Sequence, residues 1–139
     1  MNIMKKGSFI FLIAFLIRVI ASFFFGDKMI DMEFHVLVTN FMNGHGFSYW
    51  AVSPDGSLVY EAIDDASRYL PSAYMPVLYP LFLATIVSFI GYTESSVFVI
   101  LIIQSLMGAF SCLLIKDLYE LKFDKKNSYL TAWLTAFFP

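Results

Sequence analysis

Apolar residues fall into blocks along this chain, and the spacing within each block predicts its form. From Ser8 to Phe25 the run is broken by one charge, Arg18. At about 1.5 Å per residue it is long enough to cross most of a hydrocarbon core roughly 30 Å thick. Lys5 and Lys6 precede it, so a signal peptide competes with a retained span. The length, the phenylalanine content, Arg18 and the lack of a small-residue cleavage pattern favour a first span over 8–25, N-terminus cytoplasmic. Next, Ile30, Phe34, Leu37 and Phe41 recur at helical spacing, with Asp31, His35 and Met42 on another face. This predicts an amphipathic surface helix of about three turns, apolar side in lipid and stopped at Asn43-Gly44. Phe47–Val52 and Leu58–Ala62 flank Ser53-Pro54-Asp55-Gly56-Ser57, where Pro sets φ, Asp bonds back to the backbone and Gly accepts positive φ; a small hairpin follows.

The later blocks are apolar again. Residues 76–92 follow a proline-rich entry, Pro71 to Pro80, and are short for a span, so they either cross or re-enter. Residues 96–115 read as a full span carrying Gln104, Ser105, Gly108 and Ser111, the small residues allowing close helix approach. Lys116 to Lys126 reads as a connecting loop, and 128–139 as the start of a further span. The sequence stops inside that segment, which predicts the N-terminal portion of a longer protein.

Composition sharpens this picture. Of 139 residues, 59% are hydrophobic, 19% aromatic and 14% charged. Soluble domains average about 45–50% apolar and about a quarter charged, so the expected class is an all-α integral membrane protein, a polytopic helical bundle with a long extracytoplasmic first loop. That loop, 26–75, holds seven acids against Lys28 and Arg68, and poverty in Lys and Arg predicts the outer side. The lysines of 116–126 then pose a conflict. They lie outside if 76–92 crosses and inside if it does not. Nothing in the charge pattern suggests nucleic acid, and the lone Cys112 permits no disulfide framework.

Candidate chemistry centres on Asp31, a carboxylate just beyond the first span, where it can face a substrate held in the bilayer. The same position suits a helix N-cap. Glu33 is close in sequence, and His35 is one turn from Asp31. His45, between two glycines, can approach a ligand closely. Neither histidine has the partners of a zinc site. A charge inside a span, such as Arg18, costs about 2.5–3.5 kcal/mol and calls for a polar partner, either a ligand or another helix in the assembly.

The ordered set of motifs resembles the membrane-embedded GT-C glycosyltransferases, in particular the glycosyltransferase family 39-like group of protein O-mannosyltransferases and lipid A aminoarabinose transferases. The resemblance rests on Arg18 in the first span and Asp31 followed by an aromatic residue. It continues through Asn40-x-x-Asn43-Gly44-His45-Gly46-Phe47-Ser48, Ser72-Ala73-Tyr74-Met75-Pro76-Val77-Leu78-Tyr79-Pro80-Leu81-Phe82-Leu83-Ala84, Gln104 to Ala109, and the closing Phe138-Pro139. It implies transfer of a sugar from a polyprenyl-phosphate donor to a glycan, lipid or protein acceptor at the outer face of a bacterial or archaeal cell membrane. Asp31 would be the catalytic base, a divalent metal is compatible with the chemistry, and Glu33, His35, Arg18, Arg68, Tyr74 and Tyr79 would contact substrate. Met75 and Val77 stand where the group carries a basic residue and a second proline. Arg68, Arg18 or a residue beyond Pro139 would then hold the phosphate. A non-enzymatic multispan protein, such as a transporter component or assembly subunit, is the alternative.

Overall fold

The computed structural model describes residues 3–30, 32–59, 68–72, 76–123 and 125–137. Within them the fold is mostly helical, with a small three-stranded sheet. The order is α1 (Ile3–Phe25), α2 (Met32–Met42), β1 (Ser48–Val52), β2 (Leu58–Val59), β3 (Arg68–Pro71), α3 (Leu78–Ile90), α4 (Glu94–Lys122) and α5 (Lys125–Phe137). The chain divides into two compact units, Met1–Asp27 with Val99–Pro139, and Lys28–Phe98.

The first unit joins α1, the larger part of α4, and α5 through small side chains. Ile10, Ala14, Ala109, Cys112, Ala132 and Ala136 form its buried centre, with Phe11, Phe15, Tyr129 and Trp133 packed around it. Alanine at these positions lets helix backbones approach closely enough for dispersion contacts along their length. The contacts fix direction. Gly7 lies against Leu113, Phe11 meets Phe110 at 4.9 Å between ring centroids, Arg18 lies over Gly108, and Gly26 lies against Leu101. As α1 is followed forward, its partners on α4 run backward, so the two helices are antiparallel. Gly108 makes the close approach expected of it, whereas Ser111 is exposed and bonds its own helix at the Met107 carbonyl; Ala109 and Cys112 take the interface instead.

Gly7–Phe25 and Glu94–Lys122 are each long and apolar enough to cross a membrane. Only 11% of the apolar stretch of the first and 22% of the second is buried, unlike core helices of a water-soluble domain. α4 spans 29 residues, about 43 Å, and absorbs most of the expected lysine loop. Within it the Lys116 ammonium pairs with Asp117 and, at 3.6 Å, with Glu120 one turn on, and it lies 5.6 Å from the centre of the Tyr129 ring on α5. α5 likewise begins at Lys125, three residues before the expected 128.

The second unit is a helix pair beside a sheet. α2 ends in a Schellman turn, with His45 N–H donating to the Asn40 carbonyl at 2.8 Å and Gly44 N–H to the Phe41 carbonyl at 3.1 Å. Gly44 supplies the positive φ of 82° that this turn needs. The expected hairpin is present: β1 pairs with β2 as Ala51↔Val59 and Val52↔Leu58, and in its turn Asp55 Oδ1 accepts from Ser57 N–H at 3.0 Å and Oγ at 2.7 Å. These donors hold the Asp55 carboxyl below the usual carboxylate range. Residues 60–62, the rest of the predicted second arm, lie outside the described residues. β3, unforeseen in the sequence, pairs with the other edge of β1 from Ser48↔Pro71 to Val52↔Arg68. Pro71 closes an edge strand, where its missing N–H costs no ladder bond.

α2 does not turn its apolar side to lipid as the spacing suggested. Val36, Leu37 and Val38 are buried, Phe34 packs edge-on to Tyr79 of α3 at 4.8 Å, and Phe41 stacks on Phe47 at 4.7 Å. α3 and β1 pack on α2, and Leu83, Ala84, Ile86 and Val87 of α3 are buried. α3 itself is regular over 13 residues, with Pro80 in its first turn, where a helix needs no N–H.

Candidate functional site

A cleft of about 600 Å³ opens within the second unit, lined by Lys28, Met29, Ile30, His35, Tyr92, Thr93, Glu94, Ser96 and Val97. The volume suits a ligand of drug or sugar size. Three pieces of chain build it: the segment after α1, the exposed side of α2, and the start of α4. The start of α4 is fixed by a reciprocal cap, in which Ser96 N–H donates to Thr93 Oγ1 at 3.3 Å and Thr93 N–H donates to Ser96 Oγ at 3.2 Å.

Tyr92 fastens this start to α2. Thr39 Oγ1 donates to the Tyr92 hydroxyl at 3.0 Å, and that hydroxyl donates to the His35 carbonyl at 3.3 Å. Its ring meets the His35 imidazole edge to face at 4.4 Å. Burial raises the Tyr92 phenol above its ordinary value, partly offset by the Thr39 hydrogen bond. The cleft thus combines apolar walls with an imidazole, a phenol, an ammonium and a carboxylate, a set able to orient a polar headgroup and exchange protons with it.

Of the residues expected at the substrate site, His35 is in this lining. Glu33 is exposed on the first turn of α2 and is not part of the lining. Arg68 begins β3 opposite Val52, and Tyr79 is engaged with Phe34 and Phe82; neither lines the cleft. Asp31 and Tyr74 lie outside the described residues. His45 stacks flat on Tyr69 at 3.8 Å, holding the loop after α2 onto β3.

Arg18 belongs to the first unit, where its guanidinium donates to backbone carbonyls: Ala14 at 3.2 Å, Thr135 at 3.1 Å and Ala136 at 3.4 Å. Thr135 and Ala136 are on α5, more than a hundred residues further along the chain. Between the two partners open to Arg18, the structure supplies another helix.

Lys28, Tyr92 and Glu94 are among the lining residues that periodicity did not single out. For Tyr92 and Glu94 the signal was the break Gly91-Tyr92-Thr93-Glu94 between two apolar blocks, where polar groups gather at a helix start. Among the described residues no three His, Cys, Asp or Glu side chains converge on one point. Comparison with known proteins adds no relative: no family model, curated protein or solved structure matches this chain.

Proposed function

We propose that the chain is part of a polytopic membrane glycosyltransferase that moves a sugar from a polyprenyl-phosphate donor to an acceptor hydroxyl, using the cleft of the second unit. The observation that carries this reading is the cleft itself. Ile30 and His35, which flank position 31 in sequence, both line it, together with Lys28, Tyr92 and Glu94. Support also comes from the two helices able to cross a membrane and from the ordered sequence motifs.

In this reaction the acceptor oxygen attacks the anomeric carbon as the bond from that carbon to the phosphate oxygen breaks. The acceptor proton passes to the Asp31 carboxylate and the lipid phosphate leaves with the bonding pair. A hydroxyl is a weak nucleophile, and a positioned base typically contributes about 10²–10⁴-fold. Lys28 is the cation in the cleft lining that can meet the departing phosphate, since Arg18 is committed to α5 carbonyls and Arg68 does not line the cleft.

Asp31→Asn in the membrane-inserted protein should lower transfer of radiolabelled sugar from a polyprenyl-phosphate donor by about 10²-fold or more, with insertion unchanged. Transfer at the wild-type rate would remove Asp31 from the mechanism. The engagement of Arg18 in helix packing is the observation favouring the second reading, a non-enzymatic multispan subunit with the second unit as a binding cap. That reading expects no transfer in any variant.

A further inference from the structure

The antiparallel pairing of α1 and α4 bears on how the chain is threaded. Gly7 and Leu113 lie at one end of the pair and Gly26 and Leu101 at the other. If both helices cross the bilayer, the reading on which this inference rests, residues 26 and 101 emerge at one membrane face. The segment between them leaves and returns on that face. A single crossing by α3 would require α1 and α4 to be parallel. With 13 residues, about 20 Å, α3 is also too short for a core of roughly 30 Å.

Yet α3 is not built for water. No charged residue occurs between Arg68 and Glu94. One face of α3 packs on α2, while Leu78, Thr85 and Phe89 share an uncovered face, Leu78 being 81% and Phe89 86% exposed. The hydroxyls on the exposed side are turned back into the helix: Thr85 Oγ1 donates to the Leu81 carbonyl at 2.8 Å and Ser88 Oγ to the Thr85 carbonyl at 2.7 Å. Such internal bonding is what a hydroxyl needs where no water is present to satisfy it.

We infer that α3 does not cross the membrane but lies in the leaflet at the face where α1 ends, with Leu78, Thr85 and Phe89 against lipid acyl chains. The chain therefore crosses twice before α5, and Lys116, Lys122, Lys125 and Lys126 fall on the same side as Lys5 and Lys6. The conflict between the lysines and the acidic loop disappears, since all the lysine-rich segments share one face.

Single cysteines at Leu58, Ser95 and Lys122, in a Cys112→Ala background, test this with a membrane-impermeant maleimide applied to oriented vesicles of the whole protein. Leu58→Cys and Ser95→Cys should react from one face and Lys122→Cys from the other. Leu58→Cys and Ser95→Cys reacting from opposite faces would show that α3 crosses and overturn the inference while α4 still spans. Ser95→Cys and Lys122→Cys reacting from one face would remove the span on which the inference rests, and the inference with it. A nitroxide at Phe89→Cys should collide with oxygen and not with a water-soluble nickel chelate. Collision with the chelate, or with neither, would place that face in water or against protein and overturn the lipid contact.

Discussion

Replacing Gly108 by alanine probes the seat of Arg18. A Cβ at position 108 would lie 2.5 Å from Arg18 Nε and 2.9 Å from Cδ, closer than such atoms approach. Arg18 cannot swing aside freely, because its guanidinium is tied to Thr135 and Ala136 on α5 and to Ala14 on its own helix. Forcing one methyl into a filled interface costs about 1–3 kcal/mol. In an Arg18→Met background the guanidinium and its bonds are gone, and alanine should gain about 0.5–1 kcal/mol over glycine inside a helix. Gly108→Ala is therefore destabilising with Arg18 present and neutral or stabilising without it, a coupling of about 2 kcal/mol, within the range found for touching residues. The assay is reversible denaturant unfolding in detergent micelles, followed by Trp133 fluorescence in a Trp50→Phe background, since Trp133 lies between Phe9 and Phe137 and reports the α1–α5 contact. Equal effects of Gly108→Ala in the two backgrounds would refute the packing of Arg18 over Gly108.

Asn40 is fully buried and its Nδ2 donates to the Ser48 carbonyl at 2.8 Å, tying the end of α2 to the start of β1. Asn40→Ala should destabilise the second unit by about 1–3 kcal/mol by orphaning that carbonyl, and limited proteolysis after residue 42 should accelerate; an unchanged cleavage rate would count against the tie. Tyr92 gives a pH signature. Its phenol is raised above the ordinary value of about 10, so its contribution is fully present below that pH. As pH rises past it the unfolded chain ionises first, and stability falls until the folded value is passed. Tyr92→Phe should flatten this alkaline loss, measured as unfolding midpoint against pH, and cost about 0.5–1.5 kcal/mol for each of its two hydrogen bonds at neutral pH.

Much of the architecture could be read from spacing. The apolar blocks located α1 and α4, the periodicity of Phe34, Leu37 and Phe41 located α2, and Pro54-Asp55-Gly56 located the β1–β2 turn, because each depends on contacts within a few residues. β3 was hidden, since a four-residue edge strand takes its identity from the partner it meets. The extent of α4 was missed for a related reason: Lys116, Asp117 and Glu120 look like a polar loop until their mutual pairing along a helix is seen.

The sequence by itself determined that this chain is mostly helical and built from membrane-length apolar runs, since composition and period are local properties. Tertiary structure decided which partners the polar groups meet. It committed Arg18 to the carbonyls of α5, turned the apolar face of α2 onto α3, and gathered Lys28, His35, Tyr92 and Glu94 around one cleft. Those outcomes depend on residues distant in sequence meeting in space, and no local pattern records which partner a side chain will find.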